Sequence, residues 1–186
     1  GVWNGDNAML TFTGGNIHNN NANLYGGGLY NTNTLIMSGN PGINGNTVNS
    51  NAENLYLEQN KVIIVTGAFT EGANIGVTPY NKTNSVITSG YSTANPDKAP
   101  ASVFHSDIAT LDILLNDGNE VVTQETWEQL RDAIVKDGSV TLTRDIVISH
   151  YLGIENGITA TIDLNGHTLS RSLSAADPDG HVIWIL

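Results

Sequence analysis

The chain has 186 residues, no cysteine and a formal net charge of −11, from 18 Asp+Glu against 7 Lys+Arg. The absence of cysteine excludes a disulfide scaffold, a thiolate zinc site and a cysteine nucleophile. The acidic balance argues against nucleic acid as a partner, because little here can neutralise a run of phosphates. No apolar run approaches the ~18 residues of a membrane span, and the first residues lack a charged stretch followed by an apolar one, so neither membrane insertion nor a signal peptide is expected within this sequence.

The composition is uneven. Asn, Gly and Thr number 24, 20 and 19, and 20 of the Asn lie at or before Asn95. Residues 1–95 hold 4 acids and 2 bases, whereas residues 96–186 hold 14 acids and 5 bases, so the second half carries −9 of the charge. This shift, with the turn cluster Asn116-Asp117-Gly118-Asn119, places a boundary near residue 118 and two regions, 1–118 and 119–186.

Within the first region one pattern recurs: two or three apolar or β-branched residues, then Ser or Thr, then Gly. It reads Leu10-Thr11-Phe12-Thr13-Gly14, Leu35-Ile36-Met37-Ser38-Gly39, Ile63-Ile64-Val65-Thr66-Gly67 and Val86-Ile87-Thr88-Ser89-Gly90, at spacings of 25, 28 and 23 residues. Strands this short cannot bury their apolar face alone. Stacked as rungs, each pairs in parallel with the copies above and below, and the inward side chains make one core. Asn and Gly suit the corners because both accept left-handed backbone angles, and Asn repeated at one corner stacks into a hydrogen-bonded ladder. Gly26-Gly27-Gly28 reads as a corner where the backbone passes closely, since no phosphate-loop Lys or helix follows it. A β-sandwich of short strands is the competing reading.

Residues 21–31 (NANLYGGGLYN), 35–46 (LIMSGNPGINGN) and 54–77 (NLYLEQNKVIIVTGAFTEGANIGV) resemble repeat rungs of right-handed parallel β-helix proteins of the pectin-lyase-like superfamily, and most of all those of large surface proteins of gut Firmicutes and adhesin-type repeats. The resemblance covers roughly residues 10–90 and concerns architecture. It implies an all-β solenoid on the surface of, or secreted by, a bacterium, and it leaves the ligand open.

The second region starts differently. Thr126 followed by Gln129 fits a helix capping box, Glu125 and Glu128 suit the helix dipole, and Trp127, Leu130, Ala133 and Ile134 share a face. Asp132 and Lys136 are spaced to pair, and Gly138 is a stop signal. The expectation is one amphipathic helix over 126–137. After it come the strand-like segments Val140–Thr143, Ile146–Ile148, Ile158–Leu164 and His167–Leu169. This order resembles the entry of a second β-helix unit, with the helix capping the open first rung. The ends, Gly1-Val2-Trp3-Asn4 and His181 to Leu186, read as mid-pattern, so the chain is expected to be part of a larger tandem protein. The strand 181–186 is expected to be an open edge that pairs with another segment or another chain.

The chemistry is sparse. Asp177 and Asp179 are a weak Ca²⁺ candidate that lacks the remaining ligands of an EF-hand loop; their spacing fits an ordinary Asp/Gly turn, so no metal is expected, and Asp163 and Asn165 read as corner residues. The repeat region offers only Asp6, Glu53, Glu58 and Glu71 as acids, and its arginines are absent, since Arg131, Arg144 and Arg171 all lie later. Polysaccharide cleavage needs clustered carboxylates, so an enzyme is not expected. The histidines at 18, 105, 150, 167 and 181 lack zinc-site spacing. No cofactor is implied. The binding clue is aromatic: Tyr25, Tyr30, Tyr56, Tyr80 and Tyr91, with Trp3, fall near strand ends or corners, where they either meet a ligand or serve as half-buried packing residues. The expected function is non-catalytic binding in a secreted or wall-anchored surface protein. Its ligand would be a host protein such as immunoglobulin or mucin, or a glycan. A polysaccharide lyase or hydrolase fragment and a structural stalk are the alternatives.

Overall fold

The structure is a computed structural model that describes residues 1–82, 84–173 and 180–185. Asp177 and Asp179 lie outside the described residues. The chain is mostly β, 47% strand against 11% helix, and its main ladders are parallel. It forms two compact units, Gly1–Ile108 with Ile113–Thr123, and Ala109–Asp112 with Gln124–Leu186.

The first unit is built on three ladders. In one, Leu10, Leu35, Ile63 and Thr88 stand in register, as do Phe12, Met37 and Val65. In the second, Val2, Leu29, Leu55 and Val77 align. In the third, Ile17, Ile43, Ile75 and Phe104 align. Between visits to one ladder the chain passes through the other two, which is the long crossover that parallel pairing demands. Side chains alternate along each strand. One set therefore faces inward, and Leu29, Leu35, Met37, Ile43, Leu55, Ile63, Ile75 and Val77 are fully buried in one cluster. Each such side chain contributes roughly 1.5–3 kcal/mol of burial. Phe69, Tyr91 and Phe104 close part of this core, with ring centroids 5.5 to 6.3 Å apart.

The fourth copy of the repeat departs from its sequence alignment. Matching motifs would set Val86 opposite Ile63, but the register sets Thr88 there. The cause is a competing partner. Residues 85–87 exchange backbone hydrogen bonds with Val121 and Thr123, and Val86 bridges Val122 in antiparallel fashion. The ladder step thereby becomes 25 residues, from Ile63 to Thr88.

Corners follow the Asn/Gly chemistry. Of the eight non-glycine described residues with positive φ, seven are Asn, among them Asn7, Asn19, Asn49 and Asn60. Two side-chain ladders run through the rungs. The Asn4 side-chain amide donates to Asn31 Oδ1 at 2.7 Å, and both residues are buried. Asn20 donates to Asn46, Asn46 to Asn54, and Asn54 to Asp107. The Gly26–Gly28 corner is as tight as its sequence suggests. Gly26 has φ +56, a Cβ at Gly27 would run into the Thr47 backbone, and one at Gly28 would lie 2.7 Å from the Asn54 carbonyl.

In the second unit the helix Thr126–Asp137 occupies the expected span and ends at Gly138, whose N–H donates to the Ile134 carbonyl at φ +69. Its start differs from the expected capping box. Glu125 is the N-cap and makes no side-chain cap bond, while the Thr126 hydroxyl donates to the Thr110 carbonyl and Gln129 to Asp112. The spacing motif loses because those partners are offered by the chain at 110–112. The Asp132 carboxylate meets Arg131 at 2.9 Å, in place of the Lys136 pairing expected from spacing. Leu130 and Ile134 pack with Leu142, Ile146, Ile148 and Leu152. Three parallel pairs follow: Ser139–Thr141 with Thr161–Asp163, Ile146–Ile148 with Leu169–Arg171, and Leu152–Ile154 with Ile183–Ile185. The helix packs against the first strand of each pair. Asp163 and Asn165 form a corner, since the Asp163 carboxylate accepts the Asn165 N–H at 2.8 Å and Asn165 has φ +47.

Candidate recognition surface

Register alone assembles an aromatic column in the first unit. Trp3, Tyr30 and Tyr56 occupy the same position on successive strands of one ladder, with Thr78 next. Strand spacing there is about 4.8 Å, so the Tyr30 and Tyr56 rings meet although 26 residues separate them in sequence, and Trp3 holds the neighbouring register position. Tyr25, from the corner before Tyr30, lies against both tyrosines. Its ring centroid is 5.5 Å from Tyr30 and 4.8 Å from Tyr56, and Tyr30 to Tyr56 is 5.6 Å. Trp3 is 70% exposed and Tyr25 48%, whereas Tyr56 is nearly covered.

Two carboxylates fix this cluster. Glu58 accepts the Tyr30 hydroxyl at 2.7 Å on Oε2 and the Gln59 N–H at 3.0 Å on Oε1. The carboxylate acceptor, followed by burial and the Glu58 charge, pushes the Tyr30 phenol up to about 12. The same bond holds the Glu58 carboxyl below its ordinary value. Glu53 accepts the Gly26 N–H at 2.6 Å and so ties down the corner that carries Tyr25. Burial raises the Glu53 carboxyl above its ordinary value, against the pull of that N–H. Burial, then the Glu58 charge, pushes Tyr56 up to about 12.

Tyr80 stands beside this group, 47% exposed, with its N–H on the Leu57 carbonyl at 2.8 Å. It lines a cleft of about 360 Å³ that Glu58 also lines. Tyr91 is different. It is fully buried between Phe69 and Phe104, and its hydroxyl donates to the Lys98 carbonyl. Its burial corrects the expectation that it faces a ligand: the helical turn Tyr91–Ala94 turns it into the core, and burial pushes its phenol up to about 12.

Sequence reading missed Glu58, Glu53 and Asp107. Glu58 was findable, since it follows Tyr56 by two residues and strand alternation puts the two on one face. Asp107 was not, because its partner Asn54 is 53 residues away. Among the described residues no group of three or more His, Asp or Glu could hold a metal ion, and no helix is long and apolar enough to cross a membrane. No family model, curated protein or solved structure matches this chain.

Proposed function

We propose that this chain is a non-catalytic recognition segment of a bacterial surface protein, secreted or wall-anchored, built as a parallel β-helix of the pectin-lyase-like type. The supporting observation is the grouping of Tyr25, Tyr30 and Tyr56 within 5.6 Å on one face, beside an exposed Tyr80. Clustered, rigid tyrosines supply large contact area at low conformational-entropy cost. The partner is a host protein or a glycan that lays a flat surface on Tyr25, Tyr30 and Tyr80, while Tyr56, nearly covered, packs against Tyr25 and Tyr30 and offers little surface of its own. The helix Thr126–Asp137 acts as the cap of a second coil, and the edge strand Ile183–Ile185, with Ile185 74% exposed, is the site of pairing with a further strand.

The reading is tested with immobilised mucin, immunoglobulin and a glycan array, using the chain and its Tyr25→Ala variant. Tyr25 is half exposed, so the variant keeps its core. Retention by one of these surfaces that Tyr25→Ala weakens at least tenfold is expected. No retention at micromolar protein would leave a structural stalk, and equal retention of both chains would remove the tyrosine group as the binding surface.

A further inference from the structure

We infer that the cleft beside Tyr80 is a subsite for one uncharged pyranose ring. The inference deepens the recognition reading above and rests on it. A pyranose has an apolar C–H face and a rim of vicinal hydroxyls, and the cleft offers a counterpart for each. Its volume of about 360 Å³ lies within the roughly 300–1,000 Å³ of small-ligand sites. Tyr80 supplies an exposed aromatic ring for the C–H face. Asn60, Asn81 and Asn84 line the cleft, and each amide carries both donor and acceptor, the pattern that vicinal hydroxyls need. Each Glu58 oxygen already accepts one bond and keeps a second lone pair for a sugar O–H. Glu58 and Lys61 both line the cleft, so their charges offset and a net-charged ring is not favoured.

Hydrogen bonds tie described residues on both sides of the cleft. On one side the Lys61 N–H closes a turn onto the Glu58 carbonyl, with Asn60 in the left-handed region. On the other the Ser85 hydroxyl donates to the Asn81 carbonyl, and Thr123 bonds both Ser85 and Lys82. Glu58 also joins the cleft to the Tyr25–Tyr30–Tyr56 group through its bond to Tyr30. A terminal sugar in the cleft would leave the next residues of a glycan to run onto those rings.

Saturation-transfer NMR with the methyl glycosides of glucose, galactose, N-acetylglucosamine and glucuronic acid tests this on the wild-type chain and on Tyr80→Ala, Tyr80→Phe and Tyr25→Ala. Thermal melts of each variant check folding. Transfer to at least one uncharged glycoside is expected, retained by Tyr80→Phe and weakened about tenfold or more by Tyr80→Ala. No transfer from the three uncharged sugars, transfer to the glucuronide alone, or unchanged binding in a folded Tyr80→Ala overturns the inference. Mucin retention lost in Tyr25→Ala but kept in Tyr80→Ala would remove the subsite while the wider recognition surface stands.

Discussion

Asn54 gives both its backbone N–H and its side-chain amide to one carboxylate, Asp107, at 2.7 and 2.5 Å. Thr78 adds a third donor to the same group at 3.0 Å. The donors of the Asn20–Asn46–Asn54 ladder therefore all point one way, and an acceptor-only side chain ends it. Three segments of the first unit, at Asn54, Thr78 and Asp107, are tied together at this corner, next to the loop that presents Tyr25.

Replacing that terminus tests the ladder. In Asp107→Asn one acceptor becomes an NH₂ facing a donor, and the loss is expected to be about 1–3 kcal/mol in urea unfolding. A loss under about 0.5 kcal/mol would mean that the ladder is not ended by the carboxylate.

The Gly26–Gly28 corner gives a second test. Gly27→Ala places a methyl against the Thr47 backbone, which cannot move without shifting a paired strand. A destabilisation of about 1–3 kcal/mol is expected. Unchanged stability would show that the corner is looser than described.

Alkaline titration reads the tyrosine cluster. The folded values of Tyr30, Tyr56 and Tyr91 lie at about 12, above their ordinary 10. The stability linked to these phenols is thus fully present below pH 10 and is lost as pH rises through about 12. The unfolding midpoint is expected to stay level to about pH 10 and fall beyond it. Glu58→Ala removes both the acceptor, which is the largest cause of the Tyr30 shift, and the charge, so absorbance at the phenolate band should show one phenol ionising earlier. An unaltered titration would break the Tyr30–Glu58 assignment.

Glu53 behaves in the opposite sense to an ion-paired acid. Its folded value is raised, so the stability it contributes is present below the ordinary carboxylate value and is lost as pH rises through the folded one. Gln at this position keeps the acceptor for the Gly26 N–H and removes the half-buried charge. Glu53→Gln is expected to hold or raise stability at pH 7 in denaturant titration. A clear loss there, larger than at pH 4, would contradict this account.

Much of this was legible in the residues. Leu10, Leu35 and Ile63 announce their ladder because apolar alternation and an Asn/Gly corner recur with them. The second unit's helix was legible from Leu130 and Ile134 on one face and Gly138 after it. What failed were choices decided by distant partners. Val86 has the right residue type for its ladder but is taken by Val122. Thr126 has capping spacing but spends its hydroxyl on Thr110. Tyr91 follows a glycine as a surface aromatic would, yet one helical turn sets it between Phe69 and Phe104. Tyr25, Tyr30 and Tyr56 could be named from sequence, but only the register shows that they touch.

That touching is the central claim, and ring-to-ring NOEs in a tyrosine-labelled sample measure it directly. With six tyrosines in the chain, the pairs Tyr25–Tyr30, Tyr25–Tyr56 and Tyr30–Tyr56 are expected to cross-relax, and Tyr91 is expected to see none of the three. Absence of the Tyr30–Tyr56 contact, or contact of either with Tyr91, would contradict the register and the surface built on it.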